Sequence, residues 1–176
     1  NGTTEKTFPP GKYTLTPVSD WRVFTDLGSA EIIRIASRSA VALTKDEFEQ
    51  IFFNPSFDPA TQVLFHDPAL PPLSGTGSVT VTTYSSNRIE ASTNTQGTTM
   101  MVVANTYYPG WKAYVDGQPT PLSRVNWTMN GVGVPPGKHV VKLLYEPASF
   151  QLGIWISTLS LFMFIGMVIA HRRNYS

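Results

Sequence analysis

The sequence predicts a mainly β protein: an antiparallel β-sandwich, Ig-like or jelly-roll-like, with a small α+β part before it and one C-terminal transmembrane helix after it. Three observations carry that expectation. Short apolar-alternating runs broken by Gly, Pro and Asn turns recur from Ser78 to Tyr145. Thr, Ser and Val supply 20, 15 and 15 of the 176 residues, a strand-leaning composition. Gly153 to Ala170 reads GIWISTLSLFMFIGMVIA and carries no charge. The expected organisation is an α+β segment at 1–73, the sandwich at 74–149, the membrane helix at 150–171 and a short tail at 172–176.

Composition excludes several function classes. Charged residues are 14% of the chain, well below the roughly 25% of ordinary soluble proteins. With 41% apolar and 12% aromatic residues, the chain has enough to bury for a folded core. A net charge of +1 gives no long-range attraction to nucleic acid, and no such partner is expected. The absence of cysteine removes disulfides, thiolate metal sites and cysteine nucleophiles.

The elements follow in order. Residues 1–12, with Pro9-Pro10-Gly11, read as a linker. Tyr13–Val18 and Trp21–Thr25 are short strands, and Glu31–Ala36 and Ser39–Leu43 two more. Thr44-Lys45-Asp46-Glu47 is a capping box, in which the Thr44 hydroxyl accepts from the Glu47 N–H and the Glu47 carboxylate reaches back. Phe48, Ile51 and Phe52 give the helix one apolar stripe, and Asn54-Pro55 stops it. Gln62–His66 is a strand, and the proline-rich stretch from Asp67 to Gly77 a linker.

The sandwich strands are then Ser78–Tyr84, Arg88–Asn94, Thr98–Asn105, Trp111–Val115, Gln118–Leu122, Trp127–Val134 and Lys138–Tyr145. The run Met100-Met101-Val102-Val103 suits a strand buried on both faces. Asp116-Gly117 is a two-residue hairpin turn. Pro119 and Pro121 confine their strand to an edge.

Phe150 to Ala170 is 21 residues long, close to the ~20 that cross a ~30 Å hydrocarbon core. Arg172 and Arg173 follow, and they place the C-terminus in the cytoplasm and residues 1–149 outside it. No apolar leader opens the chain, so the expectation is the C-terminal piece of a longer membrane protein.

Motifs of nucleotide binding, zinc proteolysis and serine hydrolysis are missing. His66-Asp67 is at most half of a triad. Asn1-Gly2-Thr3 and Asn126-Trp127-Thr128 match the glycosylation sequon by chance. No catalytic residue, metal ligand or cofactor is expected in this segment. The aromatics Tyr107, Tyr108, Trp111 and Trp127 are the candidates for contact with a glycan or a membrane surface. Core packing is the alternative for them, for Trp111 above all. Pro109, Gly110, Asp116, Gly117 and Gly137 read as structural turn residues.

The stretch from Asn105 through Tyr108-Pro109-Gly110-Trp111, Ala113 and Val115-Asp116-Gly117 continues into Val132, Val134-Pro135, Gly137, His139, Val141, Tyr145 and Pro147. This pattern resembles the C-terminal extracytoplasmic domain of bacterial YfhO-type membrane proteins, over about residues 78–170 and more loosely over 30–66. Val23-Phe24-Thr25-Asp26 stands where that family usually carries an aromatic–acidic–Asn segment. The resemblance implies a polytopic parent of the C-type glycosyltransferase superfamily in the bacterial cytoplasmic membrane, using polyprenyl-phosphate-linked sugar on a cell-envelope polymer. It places the catalytic carboxylates in an early external loop outside this chain. The implied partners are the bilayer through residues 150–171, the parent's other transmembrane helices and cell-envelope glycan. The segment would position acceptor glycan or brace the catalytic loop. The alternative is a membrane-anchored adhesion or scaffold module with no enzymatic role.

Overall fold

The computed structural model describes residues 13–18, 21–26 and 30–174. The expectations for residues 1–12, the first sequon included, lie outside them. β1 (Tyr13–Val18) and β2 (Trp21–Asp26) form an antiparallel pair of their own.

Two larger sheets make the sandwich. β3 (Ile33–Ala36), β4 (Arg38–Val41), β5 (Gln62–Phe65), β8 (Thr99–Thr106), β11 (Leu122–Val125) and β12 (Met129–Val134) form one, in the order β3-β8-β12-β11-β5-β4. β6 (Thr76–Tyr84), β7 (Arg88–Gln96), β9 (Trp111–Val115), β10 (Gln118–Thr120) and β13 (Gly137–Tyr145) form the other, in the order β10-β9-β13-β7-β6. The fold is the expected sandwich with a small α+β part, followed by the helix α2 (Ala148–Asn174).

The core follows the alternation of the strands. Ile33, Met101, Val103, Val132 and Val134 from the first sheet meet Ile89, Ala91, Val115, Val141 and Leu143 from the second. On the other face of the first sheet Met100, Val102 and Val125 pack with Val63, Phe65 and Leu73. The apolar run of β8 is thus buried on both faces, because successive side chains point to opposite sides and each side has a core. The stretch from Asp67 to Gly77 contributes to this second core through Leu70 and Leu73, and its end already pairs as β6.

Three features differ from the sequence expectation. First, the pairing of β4 with β5 is parallel, and α1 (Lys45–Phe52) lies in the connection between them. Parallel neighbours need such a crossover, and it draws strands from before residue 73 into the sheet that holds β8, β11 and β12. Second, the expected strand at Gln118–Leu122 is two strands. β10 edges the second sheet, and after Pro121 the chain enters the first sheet as β11. A proline without an N–H suits that change of sheet. Third, Trp127 belongs to a turn rather than a strand, with Asn126 at φ 45° and Trp127 at φ 71°.

The capping box of α1 is formed. Glu47 N–H donates to Thr44 Oγ1 at 3.2 Å, and Glu47 Oε2 accepts from the Leu43 and Thr44 N–H groups at 2.8 and 3.3 Å.

Candidate functional site

An open groove of about 540 Å³ lies at the end of the sandwich from which α2 departs. Its walls are strand ends and turns. Tyr84 closes β6, Ser85 and Ser86 lie in the turn to β7, Asn105 and Thr106 end β8, and Tyr108, Trp111 and Tyr145 complete the aromatic side. Buried Ile89 forms part of the lining.

The groove is built by register. Trp111 on β9 is the partner of Tyr145 on β13, and their rings lie 5.3 Å apart. The Tyr145 N–H donates to Asn87 O at 2.9 Å, which ties the β6–β7 turn to the same end. β8 carries an irregularity opposite Met129 and Asn130, and Ala104 and Asn105 fall within it. Such a bulge re-aims side chains. Asn105 is held there by the fully buried Asn130, whose Nδ2 donates to Asn105 Oδ1 at 2.5 Å.

The 107–111 loop grips the start of the membrane connection. Gly110 O accepts from the Glu146 N–H at 2.7 Å, and Lys112 Nζ pairs with Glu146 Oε2 at 2.9 Å. Gly110 has φ 114°, and a Cβ there would lie 3.0 Å from the Tyr145 ring and 3.1 Å from Pro147. Glycine meets both demands at once.

Chemically, the groove offers aromatic faces with hydroxyls and an amide, and among the described residues no Asp, Glu, Lys, Arg or His lines it. Such a surface suits a neutral ligand with a flat apolar face and hydroxyls at its edge.

Tyr108 and Trp111 are brought together in this groove, and exposed Tyr107 is their chain neighbour. Trp127 lies elsewhere. It is half-buried, 5.7 Å from the ring of Phe48 on α1 and 5.1 Å from that of His66, with the Arg124 guanidinium 5.8 Å from its ring centre. The Trp127 backbone N–H donates to His66 Nε2 at 2.6 Å, while His66 Nδ1 lies 2.9 Å from Ala42 O. The ring is therefore the neutral Nδ1–H tautomer, with both nitrogens occupied. Burial, helped by the Arg124 charge and opposed by the Ala42 bond, holds His66 below its ordinary 6.5. His66-Asp67 forms no relay, because Asp67 Oδ1 instead accepts the Ala69 N–H at 2.9 Å. Asn126 is buried with its amide bonded inward, so the second sequon presents no acceptor nitrogen to solvent.

Asp116 (φ 51°) and Gly117 (φ 80°) make the β9–β10 turn. Asp116 Oδ2 meets His139 Nδ1 at 2.6 Å, and Asp116 Oδ1 accepts the Val140 N–H at 2.8 Å. His139 Nε2 faces Pro136 O at 3.1 Å. Both ring nitrogens meet acceptors, which favours the imidazolium and leaves no free basic nitrogen. His139 is accordingly raised, chiefly by the Asp116 bond, and Asp116 is lowered, chiefly by the His139 bond. The pair clasps a turn to β13. Among the described residues no three His, Cys, Asp or Glu side chains gather where a metal could bind.

Residues 75–157 match the family of the bacterial membrane protein YfhO. The YfhO match contains every residue of the groove, the Asp116–His139 clasp and the first turns of α2. α2 supports the same conclusion, because Ala148–Ile169 is long and apolar enough to cross a membrane and its side chains are exposed along that length. The stretch 75–157 is thus similar to the YfhO family, and it runs into a helix able to span a membrane. No curated protein and no solved structure matches the chain. Sequence reasoning did not single out Tyr84, Asn105 or Tyr145 as groove residues. Tyr145 stood within the family pattern, but only the strand register brings it beside Trp111.

Proposed function

We propose that the chain is the extracytoplasmic C-terminal region of a polytopic, YfhO-type membrane glycosyltransferase of the bacterial cytoplasmic membrane. The parent uses polyprenyl-phosphate-linked sugar to modify a cell-envelope polymer. This segment supplies no catalytic residue and no cofactor. It holds the acceptor glycan in the aromatic groove, at the bilayer surface and beside the parent's other transmembrane helices. Arg172 and Arg173 keep the tail in the cytoplasm, which leaves residues 1–149 outside.

The observation that carries this reading is the uncharged, aromatic-walled groove within the family-matched stretch, next to the start of α2. Sugar rings present an apolar face to an aromatic ring and hydroxyls to groups such as Ser85 and Asn105. The test is binding of envelope-glycan fragments to the intact chain in nanodiscs, read by tryptophan fluorescence. Tyr108→Ala removes an exposed aromatic wall and is expected to weaken binding about tenfold, the equivalent of ~1.4 kcal/mol. Wild-type protein that binds no glycan, or Tyr108→Ala protein that binds equally well, would turn the assignment to a scaffold module.

A further inference from the structure

We propose that the groove end of the sandwich is seated in the lipid headgroup layer of the bilayer that α2 enters, with Tyr84, Tyr107 and Tyr108 as its contact residues. The inference goes beyond the glycan reading and does not depend on it. It starts from length. The apolar span begins at Ala148, the first residue of α2, and runs 22 residues to Ile169. At about 1.5 Å per residue it measures ~33 Å, which a hydrocarbon core of ~30 Å consumes entirely. No helical turn is left to lift the sandwich clear of the membrane.

The connection adds little reach. Only Glu146 and Pro147 lie between Tyr145 and Ala148, and a chain of that length spans ~10 Å at most. Even that reach is restrained, because Glu146 is bonded to Gly110 and Lys112, and Tyr145 to Asn87. The turns at 85–87 and 107–110 are therefore held at the level of the junction. A headgroup layer is roughly 5–8 Å thick on each side, so the junction and these turns share it.

The side chains at this end suit that layer. Tyr84, Tyr107 and Tyr108 are 55%, 38% and 60% exposed. Tyrosine pairs an apolar ring with a polar tip and is enriched at membrane interfaces for that reason. The charges nearby are paired in place, Lys112 with Glu146, and Arg88 and Lys142 with Glu90. Contact through aromatic rings rather than free cations does not require anionic lipid and resists salt.

The test uses the absence of cysteine, which lets each single-cysteine variant carry one label. Ser86→Cys, in the β6–β7 turn, marks the near end, and Gln96→Cys marks the far end of β7. At about 3.4 Å per residue β7, from Arg88 to Gln96, is ~27 Å long, and the two sites lie beyond or at its opposite ends. Each variant of the intact chain carries a fluorophore and is reconstituted into phosphatidylcholine vesicles that contain a headgroup-nitroxide lipid and no glycan. Quenching several-fold stronger at position 86 than at 96, unchanged by high salt, is the expected result. Adding Tyr84→Ser and Tyr108→Ser should weaken the quenching at position 86. Equal quenching at the two positions, or loss of the difference at high salt, would overturn the proposal. Should the serine variants fail to fold, the comparison of the two labels in the otherwise unchanged chain still decides it.

Discussion

Asn126 offers the sharpest test of how the β11–β12 turn is held. Its N–H donates to Leu64 O at 2.9 Å, and its Oδ1 accepts the Leu64 N–H at 2.8 Å. One residue thus supplies both halves of a ladder step between β5 and β11, whose only registered pair is Val125 with Phe65. Leu64 is fully buried, and Asn126 is buried at 4% exposure with φ 45°. Asn126→Ala strands the Leu64 N–H, at a cost of about 1–3 kcal/mol. It also puts a residue with no local hydrogen-bonding side chain into the left-handed region, a further ~1–2 kcal/mol. The sum, roughly 2–5 kcal/mol, lowers the melting temperature by on the order of 10 °C for a protein of this size. Asn126→Gly keeps the backbone relaxed and should lose only the first part, about 1–3 kcal/mol. The assay is thermal unfolding of the intact chain in detergent micelles, followed by near-ultraviolet circular dichroism. An alanine variant within ~0.5 kcal/mol of wild type, or one that melts together with the glycine variant, would refute the reasoning.

Other outcomes follow from the same geometry. His66 is lowered in the folded state, so its contribution is complete above its ordinary 6.5 and is lost as pH falls from there through its lower folded value. Melting temperature should therefore drop on acidification, and His66→Gln should flatten that limb of the pH profile. The Asp116–His139 clasp has two limits: the raised His139 contributes fully below 6.5 and loses its effect as pH rises through its folded value. The lowered Asp116 contributes above 3.8 and loses its effect as pH falls through its folded value. The difference in melting temperature between wild type and Asp116→Asn should accordingly shrink toward alkaline pH, and a difference that grows there would contradict the clasp. Gly110→Ala combines a positive φ with contact against Tyr145 and Pro147 and should cost about 1–3 kcal/mol in the same melting assay. An unchanged melt would show that the loop yields.

What could be read from the sequence was what is encoded over a few residues. The Thr44–Glu47 cap, the Asp116-Gly117 turn and the doubly buried run at Met100–Val103 each depend on neighbours within one turn or one strand. What could not be read depends on pairing across the chain. The parallel pairing of β4 with β5 has no local sign, because α1 would look the same between two unpaired strands. The change of sheet at Pro121 was hidden because one proline serves equally well at an edge and at a crossover. Trp127 looked like strand because large aromatics favour strands; its left-handed turn follows from the hold of Leu64 and His66 on either side. The groove was half visible, as the aromatic cluster at Tyr107–Trp111. Its other wall, Tyr84 and Tyr145, arrives only when β6, β13 and β9 end at one place.

The position of β13 has a mechanical consequence. It is the middle strand of its sheet, bonded to β7 on one side and β9 on the other, and it is the strand that runs into α2. A pull on the helix along that strand loads both ladders in shear, so their hydrogen bonds must break together. The same pull on an edge strand would load one ladder instead of two. Tilting or sliding of α2 in the bilayer is therefore passed to the sandwich as a movement of the whole body.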